Sequence, residues 1–232
     1  MSSSIRKIIS GALATIVMAL SALSYADPVE RVVSLDVNNT RANMAAMDQF
    51  FTTDLMRGQT ATLWAPMFAG NSQANRTLVI SFESFEDLVA RDQRVFTSQE
   101  WMTFQQAAEG SSEVVSNSMA QQLLAEGSGW TDHGALLVVT MSVSDPATYV
   151  AAFEEMIKSV KNPGSIRLMQ LRYGGGATNH VALFSAPDAA AANKYVDDLQ
   201  GNSAFQEFST KVAGIRQVNN ISMMRRVKTW SE

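Results

Sequence analysis

The stretch "VSDPATYVAAFEEM" (143–156) has a gapless counterpart 106 residues earlier, "VNNTRANMAAMDQF" (37–50). Each begins at the end of an apolar run and passes a helix-capping residue (Asn39 or Thr40, then Asp145). An apolar stripe follows at helical spacing: Met44, Met47 and Phe51 continuing to Leu55, and Tyr149, Phe153 and Met156 continuing to Val160. Pro146 follows Asp145 directly, where a first helical turn tolerates proline.

Reading outward from the first copy, "RVVSLDV" (31–37) alternates as a strand, with Val33, Leu35 and Val37 on one face and Ser34 and Asp36 on the other. "ATLWAPMF" (61–68) and "RTLVISF" (76–82) form two strands joined by a polar loop. Ser84 and Asp87 resemble a capping box that opens another helix, a further helical piece carries Trp101 and Phe104, and "VVSNSMAQQLL" (114–124) returns as a strand. The second copy repeats this βαββαβ order. "LLVVTMSV" (136–143) is its first strand, "NPG" (162–164) ends its first helix, and "SIRLMQLRY" and "HVALFSA" flank the loop "GGGATN". Asp188 caps its next helix and "NNISMMRRV" closes the unit. From the second helix onward the offset is 104, so Trp101 meets Phe205, Phe104 meets Phe208, and "SNSM" (116–119) meets "NISM" (220–223). Matching element order and spacing over two halves is the mark of an internal duplication. The expected organisation is a first repeat over 27–124, a linker "AEGSGWTDHG" (125–134) whose Trp130 is placed to clamp the halves together, and a second repeat over 135–232.

Residues 1–26 read as a signal peptide: Arg6 and Lys7, then the apolar "IISGALATIVMALSAL", then small residues up to Ala26. The apolar run is short for a spanning helix, so no membrane span is expected once the signal is removed. With no cysteine, disulfides and a lipidated cysteine anchor are excluded, which points to the periplasm of a bacterium or to secretion. Removal of two basic residues from 18 leaves 16 against 22 acidic ones, a net charge of −6 that argues against nucleic acid as a partner.

The βαββαβ unit with "NSAFQEF" (202–208) and its counterpart "SQEWMTF" (98–104) resembles the dimeric α/β-barrel superfamily of ferredoxin-like domains, which includes antibiotic-biosynthesis monooxygenases. The resemblance implies an α+β fold in which two repeats form a pseudo-dimeric barrel from one polypeptide, each covering the sheet face the other leaves open. It also implies a cavity for a small apolar or aromatic molecule, and either cofactor-independent oxygenation or, in haem-dependent members, an axial histidine. Occurrence as a monomer or a homo-oligomer is left open.

Placing the Val33/Leu35/Val37 face under helices turns Ser34 and Asp36, and in the second copy Val138, Thr140 and Ser142, toward the barrel interior. The candidate ligand-binding residues are Asp36, Trp64, Tyr173 and His180. Asp36 reads either as a carboxylate in an apolar cavity, suited to act as a base, or as a solvated strand-end residue. His180 reads either as an axial haem ligand or as a solvated hairpin residue. Two histidines without cysteine or clustered carboxylates make no recognisable metal set, so no cofactor is expected apart from the haem alternative. "YGGGATNH" lacks the Lys-Ser/Thr of a phosphate loop and reads as a hairpin. "MMRRVK" (223–228) reads as a charged, solvated strand edge, and the methionines read as core filling. No nucleophile elbow or acid-paired histidine is present. The sequence therefore favours a non-catalytic small-molecule-binding or interaction protein, with the oxygenase-like enzyme as the alternative and a purely structural role as a third class.

Overall fold

The computed structural model describes residues 27–70, 72–127, 130, 132–161 and 164–231; the expected signal peptide and Asn162-Pro163 lie outside the described residues. Each repeat places two strands around its first helix and two more around a helix pair. In the first repeat these are β1 (Val29–Val37), α1 (Thr40–Phe51), β2 (Thr60–Phe68), β3 (Arg76–Phe82), α2 (Phe85–Phe96), α3 (Gln99–Ala108) and β4 (Ser112–Glu126). In the second they are β5 (Ala135–Val143), α4 (Pro146–Ile157), β6 (Ser165–Tyr173), β7 (His180–Ala186), α5 (Ala189–Gln200), α6 (Ser203–Val212) and β8 (Arg216–Trp230). The offset is 106 at the first helices (Thr40, Pro146), 105 at Thr60 and Ser165, and 104 from Arg76 and His180 onward. One residue is thus lost before the second strand and another in the hairpin, rather than both in the hairpin.

Local devices are duplicated with the elements. Asn39 and Asp145 cap the first helices, Ser84 and Asp188 the second, and Ser98 and Asn202 the third, each side chain accepting from backbone N–H groups of the first turn. The Thr148 hydroxyl and N–H together hold the Asp145 carboxyl below its ordinary range. Asn75 and Asn179 are a further pair. Asn75 accepts from Val37 N and donates to Val37 O at 2.9 and 3.0 Å, and Asn179 does the same to Val143 at 2.8 Å each way. Each amide continues the ladder where the first strand would otherwise leave its last backbone groups unpaired.

The eight strands close into an antiparallel barrel in the order β1-β3-β2-β8-β5-β7-β6-β4. The closure is made by the two 15-residue strands. β4 pairs with β1 along its first part and with β6 over Met119–Glu126, and β8 pairs with β5 and then with β2 over Met223–Trp230. "MMRRVK" is therefore not a free edge. It is the seam through which the repeats join, because β8 is long enough to serve two neighbours. The helices lie outside the barrel. Val33, Leu35 and Val37 pack beneath the helices of the first repeat, and Leu137, Met141 and Val143 beneath those of the second. No described helix is long and apolar enough to cross a membrane.

Candidate functional site

One cavity lies between the first repeat's sheet and its helices, and another lies inside the barrel. The first is a cavity of about 510 Å³. Its floor is the outer face of β1 and β3 (Val33, Leu35, Leu78, Ile80), its walls are Met47, Phe50 and Phe51 of α1, and its lid is Trp101 and Phe104 of α3. Phe50, Trp101 and Phe104 touch one another with centroids 4.9–5.6 Å apart. The outer end is lined by Phe96 and Val114, both exposed.

The sequence explains why this space exists. At four of its lining positions the second repeat carries larger apolar residues: Tyr149 where the first has Asn43, Phe153 for Met47, Phe184 for Ile80 and Val212 for Ala108. At others, such as Phe50 for Met156, Leu78 for Ala182 and Trp101 for Phe205, the first repeat has the larger side chain. Those four side chains are buried in one continuous core with Phe208, Met141 and Leu168. The consequence for the third helix is visible: α6 buries Phe208 and Val212, whereas α3 has no fully buried residue. Shrinking four core positions leaves a void unless the helices collapse onto it, and here the aromatic lid holds them apart.

Polar groups enter this cavity from one side. Arg31 and Arg91 replace Leu137 and Tyr195 of the second repeat. Arg31 makes a two-pronged ion pair with Asp92 and lies 5.8 Å from the Phe96 ring centre. Arg91 donates through Nη1 to Leu55 O at 3.0 Å, while its buried Nε has no hydrogen-bond partner. Asn43 donates to Ser112 Oγ at 3.0 Å.

The second space is the barrel lumen, a cavity of about 290 Å³. Ser34, Val138 and Thr140 line it, as expected of that strand face. Ser142 does not: it donates to Ala177 O in the β6–β7 hairpin. At the lower end Trp130, from the linker, stacks on Trp64 of the first repeat (6.1 Å, 14°) and against Arg167 of the second (4.7 Å). Arg167 is ion-paired with Glu30 across the repeats, 2.6 Å apart and almost wholly buried.

The four sequence candidates are scattered by the structure. Trp64 is 0 % exposed and lines the lumen. Asp36, the next-to-last residue of β1, is exposed and accepts from Asn75 Nδ2 at 2.9 Å; it lies past the register shift between Ser34 and Leu35 and lines neither cavity. Tyr173 is 66 % exposed at the tip of β6 and also lines neither. His180 is not a solvated hairpin residue but 0 % exposed, on the helix side of β7 with its ring 6.0 Å from Tyr149. Its Nδ1 lies 2.8 Å from Asn179 Oδ1, which already accepts from Val143 N, so Nδ1 carries the proton and donates. Burial lowers its pKa and keeps the ring neutral.

This arrangement does not fit an axial haem ligand. His180 Nε2 is unpartnered, but His180 lines neither cavity, and His133 is engaged with Ser185 Oγ at 2.7 Å. Among the described residues no three His, Cys, Asp or Glu side chains converge as a metal site. The residues that sequence reasoning missed are those of the sheet–helix cavity. Their signal was present in the duplication itself, as small or charged residues in the first copy opposite large apolar ones in the second.

No family model matches the chain, and no curated relative matches it. Solved structures do. An anthrone oxidase-like protein superposes with a TM-score of 0.58 at 11% identity, covering 89% of this chain and 93% of its own. A provisionally assigned monooxygenase from Fusobacterium nucleatum gives 0.58 at 11% identity over 90% and 96%, and a provisionally assigned chlorite dismutase 0.52 at 15% identity over 88% and 96%. The fold is the dimeric α/β barrel. In this dimeric α/β barrel one polypeptide supplies both halves, and Asn75 and Asn179, the paired helix caps and the two long seam strands show the duplication in coordinates.

Proposed function

We propose that this protein is an exported, non-catalytic binding protein for a small apolar or aromatic molecule bearing an anionic or hydrogen-bond-accepting group. The observation that carries the reading is the sheet–helix cavity of about 510 Å³, open in the first repeat where the second repeat is filled. That volume lies in the range of small-molecule sites, and an apolar wall with a few convergent polar groups is their usual composition. The Arg91 Nε–H, buried without an acceptor, is the group a ligand oxygen would satisfy. Export rests on the n-region, apolar run and small-residue cleavage site of residues 1–26.

The test uses 1-anilinonaphthalene-8-sulfonate, an aromatic anion, titrated into residues 27–232. Saturable binding of one molecule per folded chain is expected. Grafting the second repeat's residues into the first (Met47→Phe with Ala108→Val) should weaken it at least about tenfold, and Arg91→Met by roughly tenfold, the loss of one charge-assisted hydrogen bond. Binding that ignores all three substitutions would remove the cavity from the function.

The second reading, cofactor-independent oxygenation, is favoured by the oxidase-like and monooxygenase descriptions of two structures with this fold. It predicts oxygen consumption when an electron-rich phenol is added to the protein without cofactor. An unchanged oxygen level with a phenol shown to bind would leave the binding reading alone.

A further inference from the structure

The barrel lumen has its own chemistry, and it shares no lining residue with the sheet–helix cavity. Strand pairing sets its inner side chains in cross-strand rows. In the first repeat Trp64, Thr77, Ser34 and Ser116 are successive partners across β2, β3, β1 and β4. The matching row in the second is Met169, Val181, Thr140 and Asn220 across β6, β7, β5 and β8. One row deeper stand Val79, Val32 and Ser118, matched by Leu183, Val138 and Ser222. Hydroxyl groups thus alternate with branched apolar walls on both sides of the same space.

Two features distinguish this lumen from a core that happens to contain serines. The first is Trp64, whose indole N–H is fully buried with no hydrogen-bond partner although the residue lines the cavity. A buried donor without an acceptor is costly, so it marks a place where an acceptor belongs. The second is charge. The one carboxylate on the lumen wall, Glu30, is ion-paired with Arg167, so the wall offers a guest no net charge.

We propose that the lumen is a second binding site, for a small neutral polyhydroxylated molecule of the polyol or monosaccharide class. Its hydroxyls exchange hydrogen bonds with Ser34, Thr77, Ser116 and Thr140, an oxygen accepts from Trp64 Nε1, and its C–H faces lie against Val32, Val79, Val138 and Leu183. Entry is from the hairpin end, where Ser72, Gly174 and Thr178 line the cavity; the other end is closed by the Trp64–Trp130–Arg167 stack.

The experiment is a titration of residues 27–232, labelled with ¹⁵N, with xylitol and with glucose, following the tryptophan indole N–H resonances. The Trp64 resonance, identified by its loss in Trp64→Phe, should shift saturably with at least one of the two, while those of Trp101 and Trp230 stay fixed. Ser34→Val should weaken that binding at least about fivefold, and Trp64→Phe, measured by calorimetry, roughly tenfold. The anion glutarate should produce no shift. The Met47→Phe, Ala108→Val graft, which closes the other cavity, should leave the xylitol or glucose response intact, so failure of either site reads out separately. A Trp64 resonance that neither sugar nor polyol moves would overturn the proposal. A response abolished by the graft would overturn it too, by assigning the binding to the first cavity.

Discussion

Met47 and Phe153 hold the same place on the same helix of two copies of one fold, and their surroundings differ. Phe153 is packed on Tyr149, Phe184 and Phe208 in a continuous core. Met47 is as deeply buried but borders a cavity. Duplication has let one copy keep the stability while the other gave up packing for space, because the closed barrel ties both to a single folding unit. The sharpest way to break this comparison is truncation at both positions. Phe153→Ala should cost about 3–5 kcal/mol, whereas Met47→Ala should stay near ~2 kcal/mol, since fewer contacts are lost beside an existing void. Urea midpoints of the two variants provide the check, and equal losses would mean that the first repeat is as tightly packed as the second.

Next in size is the Glu30–Arg167 pair, which crosses between the copies at the floor of the lumen. Arg167→Met removes the cation, strips the face of Trp130 and leaves a buried carboxylate unpaired. A loss of about 3 kcal/mol is expected, the lower end for an orphaned buried charge. Glu30→Gln with Arg167→Met should recover much of it. If the double variant is no more stable than the single, the pair is not what joins the halves.

Much of the fold was legible because it rests on short-range signals. Strand alternation, Ser84 and Asp188 as caps, and the 106-to-104 step located every strand to within a few residues. The site was less legible. Placing Ser34 in the lumen required only strand parity, but Asp36, two residues on, shares that parity and still faces solvent, past the register shift that β1 makes against β4 after Ser34. His180 looked like a hairpin residue because it follows "GGGATN", yet strand β7 begins with it and turns it under α4. Parity tells which face a residue takes and is silent on what lies above that face. The open sheet–helix cavity was hidden for a related reason: a void is a difference in volume between copies and leaves no motif.

His180 also gives the repeats different responses to pH. Its counterpart in the first repeat, Arg76, is not an imidazole and donates to Asn75 O. His180 is held neutral, with its pKa below the ordinary value of 6.5 because burial disfavours the imidazolium. Once unfolded, the ring regains that ordinary value and binds a proton more readily than in the fold. Its contribution is therefore complete above about pH 6.5 and is lost progressively as pH falls toward the depressed folded value. Between about pH 7 and pH 5 the wild type should lose more stability than His180→Gln. Parallel stability curves for the two proteins would show that the ring is not constrained in the fold.

The smallest expected effect is at Asp36, whose counterpart is Ser142. Ser142 is tied down, donating to Ala177 O at 2.6 Å and accepting from Asn219 Nδ2 at 2.9 Å. Asp36 only accepts from Asn75, whose amide is already held in place by both backbone groups of Val37. An exposed acceptor on a clamp that holds without it contributes little, because water replaces it. Asp36→Ala should change stability by less than about 0.5 kcal/mol and leave both anilinonaphthalene and polyol binding unaltered. Ser142→Ala, by removing the bonds to Ala177 of the hairpin and to Asn219, which keeps its bond to Thr178 Oγ1, should cost about 1 kcal/mol. A larger effect at Asp36 than at Ser142 on either binding measurement would return the carboxylate to the site and show that the β1 end closes over a ligand.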